Sequence, residues 1–128
     1  MADPDRRPVL VIGDGAAQMT IQDLSPMAVL GLPPIVLLLN NAGYTIERAL
    51  QSPDAAYNDV AAWDWAPLVA GLTGSRAATF RVSDPAGLHT ALEAGMASNS
   101  MTFIEVILDR DDVPPLLQAL AHRNGGGK

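Results

Sequence analysis

Two kinds of apolar pattern alternate along the chain. Short unbroken runs rich in β-branched residues occur at Val9 to Ile12, Ile35 to Leu39, Ala77 to Val82 and Thr102 to Leu108, each bounded by Gly, Pro, Asp or Asn. Strands buried on both faces of a parallel sheet read this way, because neither face needs polar residues. Between the runs, apolar positions recur at helical spacing. From Ala16 to Leu30, the residues Met19, Leu24, Met27 and Leu30 fall roughly along one face, and the pattern stops at Gly31 ahead of Pro33 and Pro34. Further on, Ser83-Asp84-Pro85 sets a capping residue before a proline suited to a first helical turn, and Leu88, Leu92 and Met96 mark the helix that follows. A last helix is expected after Pro114 and Pro115. Strand and helix in alternation predict an α/β fold, an open, mainly parallel sheet of four strands with helices on both faces. Neither an internal repeat nor a low-complexity linker is visible.

Composition places this fold in a setting. The 128 residues, 48% hydrophobic and 17% charged, suit a single core. The organisation read from the pattern is a polar leader at 1–8, a folded part at 9–123 and a disordered tail at 124–128. A net charge of −6 argues against nucleic acid as a partner, since that role needs a basic face to displace counterions. There is no cysteine, which excludes disulfides and thiolate metal sites and permits a reducing compartment. The opening MADPDRRP is too polar for a signal peptide, and the run PPIVLLL is too short to span a membrane. A soluble, cytoplasmic protein without membrane contact is the expectation.

In open α/β sheets, ligands gather at the carboxyl ends of the strands. Two such positions carry candidate chemistry: Gly13-Asp14-Gly15 after the first run and NNAGYTIE, residues 40–47, after the second. A dinucleotide fingerprint fails for the first, because Gln18 stands at the third glycine, no acid follows at ribose-binding distance, and Asp14 would repel a pyrophosphate. No Gly-Lys-Ser/Thr is present to make a P-loop. The repulsion vanishes if a divalent cation lies between Asp14 and the phosphates. Magnesium takes oxygen ligands, a few from protein and the rest from phosphate and water. Asn41 offers an amide oxygen, and Gly43 can expose its carbonyl because no side chain obstructs it. The helix expected from Ala16 would aim its N-terminus at the same place.

These residues carry a resemblance. Gly-Asp-Gly, a helix and a strand, and then Asn-Asn resemble the thiamine diphosphate motif; NNAGYTIERAL followed by YNDVAAWDW is similar to pyruvate decarboxylase and its indolepyruvate, phenylpyruvate and branched-chain 2-keto acid relatives. Acetolactate synthases and benzoylformate decarboxylases read differently after the asparagines. The likeness runs from about Val9 to beyond Trp65, and weakly to the end. It implies the thiamine diphosphate-binding fold, with thiamine diphosphate and Mg2+ as cofactors and a 2-keto acid as substrate of the complete enzyme. It also implies that Asp14, the Asn41 side chain and the Gly43 carbonyl hold the metal. Gly15, Ala16, Tyr44 and Thr45 would line the diphosphate, and Glu47 would be a catalytic acid near the reacting carbon.

Plainer readings stand beside these. Alone, Gly-Asp-Gly after a strand is ordinary turn chemistry, NNAG is a loop signal, and Glu47 is a carboxylate at a helix start. Their joint occurrence after two strands sets them apart. His89 and His122 are expected to be solvated and without partners, Trp63 and Trp65 to be packing residues, and the helical methionines to fill the core. The resemblance starts at the strand before Gly-Asp-Gly, so the fold is expected to be truncated at its N-terminus, without the elements that in the family bend the cofactor or the domain that activates it. Two classes therefore stay open: the diphosphate-binding segment of a decarboxylase, inactive alone, or a non-catalytic remnant that folds and self-associates. An uncovered sheet edge favours a homo-oligomer in either case.

Overall fold

The computed structural model describes residues 6–125, with side chains through residue 123. The strands β1 (Val9–Gly13), β2 (Ile35–Asn40), β3 (Ala78–Val82) and β4 (Thr102–Ile107) form one sheet in the order β1-β2-β4-β3. Every neighbouring pair is parallel. The helices are α1 (Asp14–Thr20), α2 (Leu24–Val29), α3 (Thr45–Leu50), α4 (Trp65–Thr73), α5 (Pro85–Ala97) and α6 (Pro115–Gly125).

Alternation along the central strands divides the core in two. Val36, Leu38 and Phe103 face Ala17 of α1, Leu24 and Ala28 of α2, and Trp65 and Val69 of α4. On the other face, Ile35, Ile104 and Val106 meet Val82 and Ala91, with Leu88 and Leu92 of α5 packed around them. Because β4 lies between two partners and under both layers, all its residues through Val106 are buried. This is why its sequence shows no polar alternation apart from Glu105. At the other extreme β1 is an edge strand, and Val9, Leu10 and Val11 remain 54%, 45% and 58% exposed.

All four strands match the expected runs to within a residue or so, and the parallel sheet with helices on both faces is as predicted. The single helix expected over 16–30 is instead two short helices, joined by a 3-10 turn at Ile21–Asp23. Pro26 explains the break, since it has no N–H to donate and its ring would clash with the carbonyl of Gln22 in a continuous helix. Restarting at Leu24 puts Pro26 in a first turn, where no backbone donor is required. The restart also rotates the apolar face: Leu24 is buried, whereas Met19 and Leu30 are 68% and 71% exposed. Met96 is likewise exposed, so among the helical methionines only Met27 packs against the core. Asp84 caps α5 as expected, its Oδ1 accepting from the Gly87 N–H at 2.9 Å.

At the ends, α6 continues through Asn124 and Gly125, past the expected start of a tail, and residues 126–128 lie outside the described residues. Of the polar leader, residues 1–5 also lie outside them. Arg7 is no loose leader residue: its guanidinium donates to the carbonyls of Pro33, Gly95, Ser98 and Ser100, tying the entry to β1 to the end of α5. His89 pairs with Glu93 at 3.3 Å and His122 contacts the Gln118 carbonyl at 2.7 Å, so both have local partners while remaining exposed. Among the described residues no helix is long and apolar enough to cross a membrane.

Candidate functional site

Register brings the two candidate loops together. Gly13 at the end of β1 pairs with Leu39 near the end of β2, so Asp14 emerges level with Asn40 and Asn41. α1 opens at Asp14 itself, two residues before the expected start, which puts the carboxylate in the first turn.

Asp14 is 2% exposed, yet among the described residues no arginine or lysine bonds it. Backbone donors take that role: Oδ1 accepts from the Gly15 N–H at 2.8 Å and Oδ2 from the Gly43 N–H at 3.0 Å. The second bond fastens the NNAG loop to the end of β1. That loop turns through Ala42 at φ 57° and Gly43 at φ 136°. Gly43 is required twice over. The backbone angle strains any L side chain, and a Cβ there would lie 2.0 Å from the Asn58 carbonyl oxygen. Gly15 lies under the Tyr44 ring, which would have to move aside for a Cβ there.

A cavity of about 330 Å³ opens over these loops. Asp14, Gly15 and Ala16 line it from the β1 side. Asn41, Gly43, Tyr44, Thr45 and Glu47 line it from the β2 side, so every candidate residue reaches one cavity. Its wall is mainly apolar, with Leu39, Ile46 and Leu108 completing it. Glu47, in the first turn of α3, is the second carboxylate on its rim. A larger cavity of about 530 Å³ shares Asp14, Asn41 and Leu108 with it and extends over Trp63, Arg81 and Glu105. There Asn40, the first of the two asparagines, donates to Glu105 at 2.7 Å, and Arg81 pairs with Glu105 at 3.4 Å. The two asparagines thus serve different neighbours.

The residue that sequence reasoning passed over is Arg48. It is buried, and its guanidinium donates to the carbonyls of Ala42 at 2.6 Å, Asn58 at 3.2 Å and Asn41 at 3.3 Å. It also pairs with Asp59 at 2.8 Å, which Arg110 approaches at 3.0 Å. One buried cation therefore gathers the carbonyls of a loop held on its other side by Asp14. Nothing in TIERAL marks Arg48 as buried; the available signal lay in YNDV, which supplies Asn58 and Asp59. With the Arg48 hydrogen bond as the largest cause and the Arg110 charge adding to it, the Asp59 carboxyl is held below its usual value of 3.8. Trp65 is packed, stacking on Phe103 with centroids 6.2 Å apart, whereas Trp63 is 38% exposed and borders the larger cavity.

A profile described as the thiamine pyrophosphate enzyme, C-terminal TPP binding domain, matches residues 1–106. An alpha-keto-acid decarboxylase of Mycobacterium bovis is 42% identical over 121 residues, which cover 94% of this chain and 22% of that protein. One of Mycobacterium avium is 43% identical over the same share of each. A solved structure, the thiamine diphosphate-dependent 4-hydroxybenzoylformate decarboxylase of Rhodococcus jostii RHA1, superposes with a TM-score of 0.73 at 28% identity, covering 87% of this chain and 21% of that one. The chain thus spans about a fifth of the length of the relatives it matches.

Proposed function

Because the chain belongs to the thiamine pyrophosphate enzymes, through their C-terminal TPP binding domain, we propose that it is the metal- and diphosphate-binding segment of an alpha-keto-acid decarboxylase. The observation that carries this reading is the single cavity reached by all eight candidate residues. The donor set fits the metal. A carboxylate from Asp14, an amide oxygen from Asn41 and a backbone carbonyl from Gly43 are hard oxygen ligands of the kind magnesium prefers, and too few to hold it without phosphates.

When bound, thiamine diphosphate supplies the electron sink that decarboxylation of a 2-keto acid requires. The roles proposed for this chain's residues are drawn from their placement. Asp14 anchors the loop and presents a carboxylate to the cation. Gly15 lets the Tyr44 ring lie close over the first loop, and Gly43 lets the second loop pack against the Asn58 carbonyl and Arg48. Tyr44 and Ile46 give the rim an apolar surface, and Glu47 lies at the edge of the cavity, where its carboxyl could hold or move a proton. The substrate is a 2-keto acid, and catalysis needs parts of the enzyme outside this segment.

Calorimetric titration with magnesium and thiamine diphosphate tests the proposal. Binding should require the metal, and Asp14→Ala or Asn41→Ala should abolish it while the circular dichroism spectrum holds. Unchanged affinity in both variants would remove the metal assignment. A wild-type chain that binds nothing would favour the reading of a folded, non-catalytic segment.

A further inference from the structure

Asparagine has two chemically opposite ends, and only one can ligate a metal. An amide –NH2 donates two protons and has nothing to offer a cation, whereas Oδ1 does. Which end faces a site is a property of the hydrogen bonds around it. For Asn41 those bonds run through Thr45.

Thr45 is 8% exposed, and its Oγ1 lies 3.1 Å from the Arg110 carbonyl oxygen and 2.7 Å from the Asn41 amide. A hydroxyl has a single proton, and a carbonyl can only accept. The Thr45 proton is therefore committed to Arg110. Toward Asn41 the hydroxyl has only lone pairs left, so the amide must turn its Nδ2 to Thr45. The reverse orientation would draw the Thr45 proton to the Asn41 oxygen and leave the Thr45 and Arg110 oxygens 3.1 Å apart with no proton between them. Arg48 steadies the far end of this chain, donating to the Arg110 carbonyl at 3.5 Å and to the Asn41 backbone carbonyl at 3.3 Å.

We propose that Thr45 is a positioning residue that, by passing its one proton to the Arg110 carbonyl, fixes the Asn41 amide with its oxygen as the end free for the cation. This rests on the metal reading above and assigns Thr45 an indirect role, distinct from touching the diphosphate itself. It also makes the stretch after β4, where Arg110 lies, part of the site although none of its side chains is a ligand.

The test compares the wild-type chain with Thr45→Val, which keeps the branched shape and removes the hydroxyl, and Thr45→Ser, which restores it. The side-chain amide resonances of Asn41 are followed by nuclear magnetic resonance, and magnesium-dependent thiamine diphosphate binding by calorimetry. In the wild type and Thr45→Ser, the Asn41 amide protons should exchange slowly with solvent. In Thr45→Val they should exchange as in an exposed asparagine, and affinity should fall about 3- to 10-fold, the worth of one neutral hydrogen bond. An affinity loss with the Asn41 amide unchanged would overturn the inference and make Thr45 a direct contact. Unchanged affinity in Thr45→Val, with Asn41→Ala still abolishing binding, would overturn it while leaving the metal site standing. Should Thr45→Val fail to fold, a wild-type Asn41 amide that exchanges at the solvent-exposed rate overturns it, and a protected one in both wild type and Thr45→Ser supports it. No binding by the wild type would remove the metal reading and this inference together.

Discussion

Asp59 stands between two guanidinium groups, those of Arg48 and Arg110, and couples the loop before α4 to the candidate site. Its depressed carboxyl pKa has a definite sign. The folded state gives up the Asp59 proton more readily than the unfolded chain, so the stabilisation is complete above the unfolded value of about 3.8 and is lost as pH falls below it. In urea unfolding followed from neutral pH into acid, the wild type should exceed Asp59→Asn by a margin that is constant near neutrality and shrinks below about pH 4. A margin independent of pH would mean that the carboxylate charge does not hold this loop. At the same scale, the site was legible in part. Asp14, Asn41, Gly43 and Glu47 could be named because their two motifs occur together after two strands, although each alone is ordinary turn or helix-start chemistry. Arg48 could not, because its importance lies in which carbonyls surround it, and those come from three separate loops.

At the level of elements, the strands were readable because a buried parallel strand is a short continuous apolar run, and these four are bounded by turn residues. The helices were less so. α4 has Asp64 at its N-cap, but that side chain makes no capping bond, and the helix itself, WAPLVAGLT, holds a proline and a glycine. What holds it is tertiary, with Trp65 buried at its first position against Phe103. α5 has the opposite character, an Asp84 cap and Pro85 with only two core positions fully buried. This difference predicts the ranking of two variants. Trp65→Ala should cost about 3–5 kcal/mol, the usual range for emptying a buried aromatic site. Asp84→Ala should cost about 1 kcal/mol, the worth of a cap. Chemical denaturation would check both, and an equal or reversed ranking would show that α4 is not held by its tryptophan.

For the molecule as a whole, the sheet ends in two edge strands, β1 and β3, and the β1 edge is the one lined by exposed large apolar side chains. Beyond β1 there is no partner strand among the described residues, and the exposed Val9, Leu10 and Val11 run along that edge. Unpaired backbone beside apolar side chains favours association with another strand. The isolated chain is accordingly expected to form a dimer or larger assembly in light scattering, weakened in a Val9→Lys, Val11→Lys variant. A wild-type monomer at high concentration would show that this edge is protected by other means. The sheet order has a further consequence, for how the fold comes into being. β4, the last strand in sequence, stands between β2 and β3 and contributes the most buried row of the sheet. β3 pairs with β4 alone, so it has nothing to join until residues 102–107 arrive. On a translating ribosome the earlier strands must therefore wait, with the inner edge of Ile35–Asn40 open and prone to the wrong partner. A chain halted before Thr102 would possess both candidate loops and the β1–β2 pair that sets them level, and still lack the strand that covers the inner edge of β2 and the Arg110 carbonyl that Thr45 and Arg48 bond.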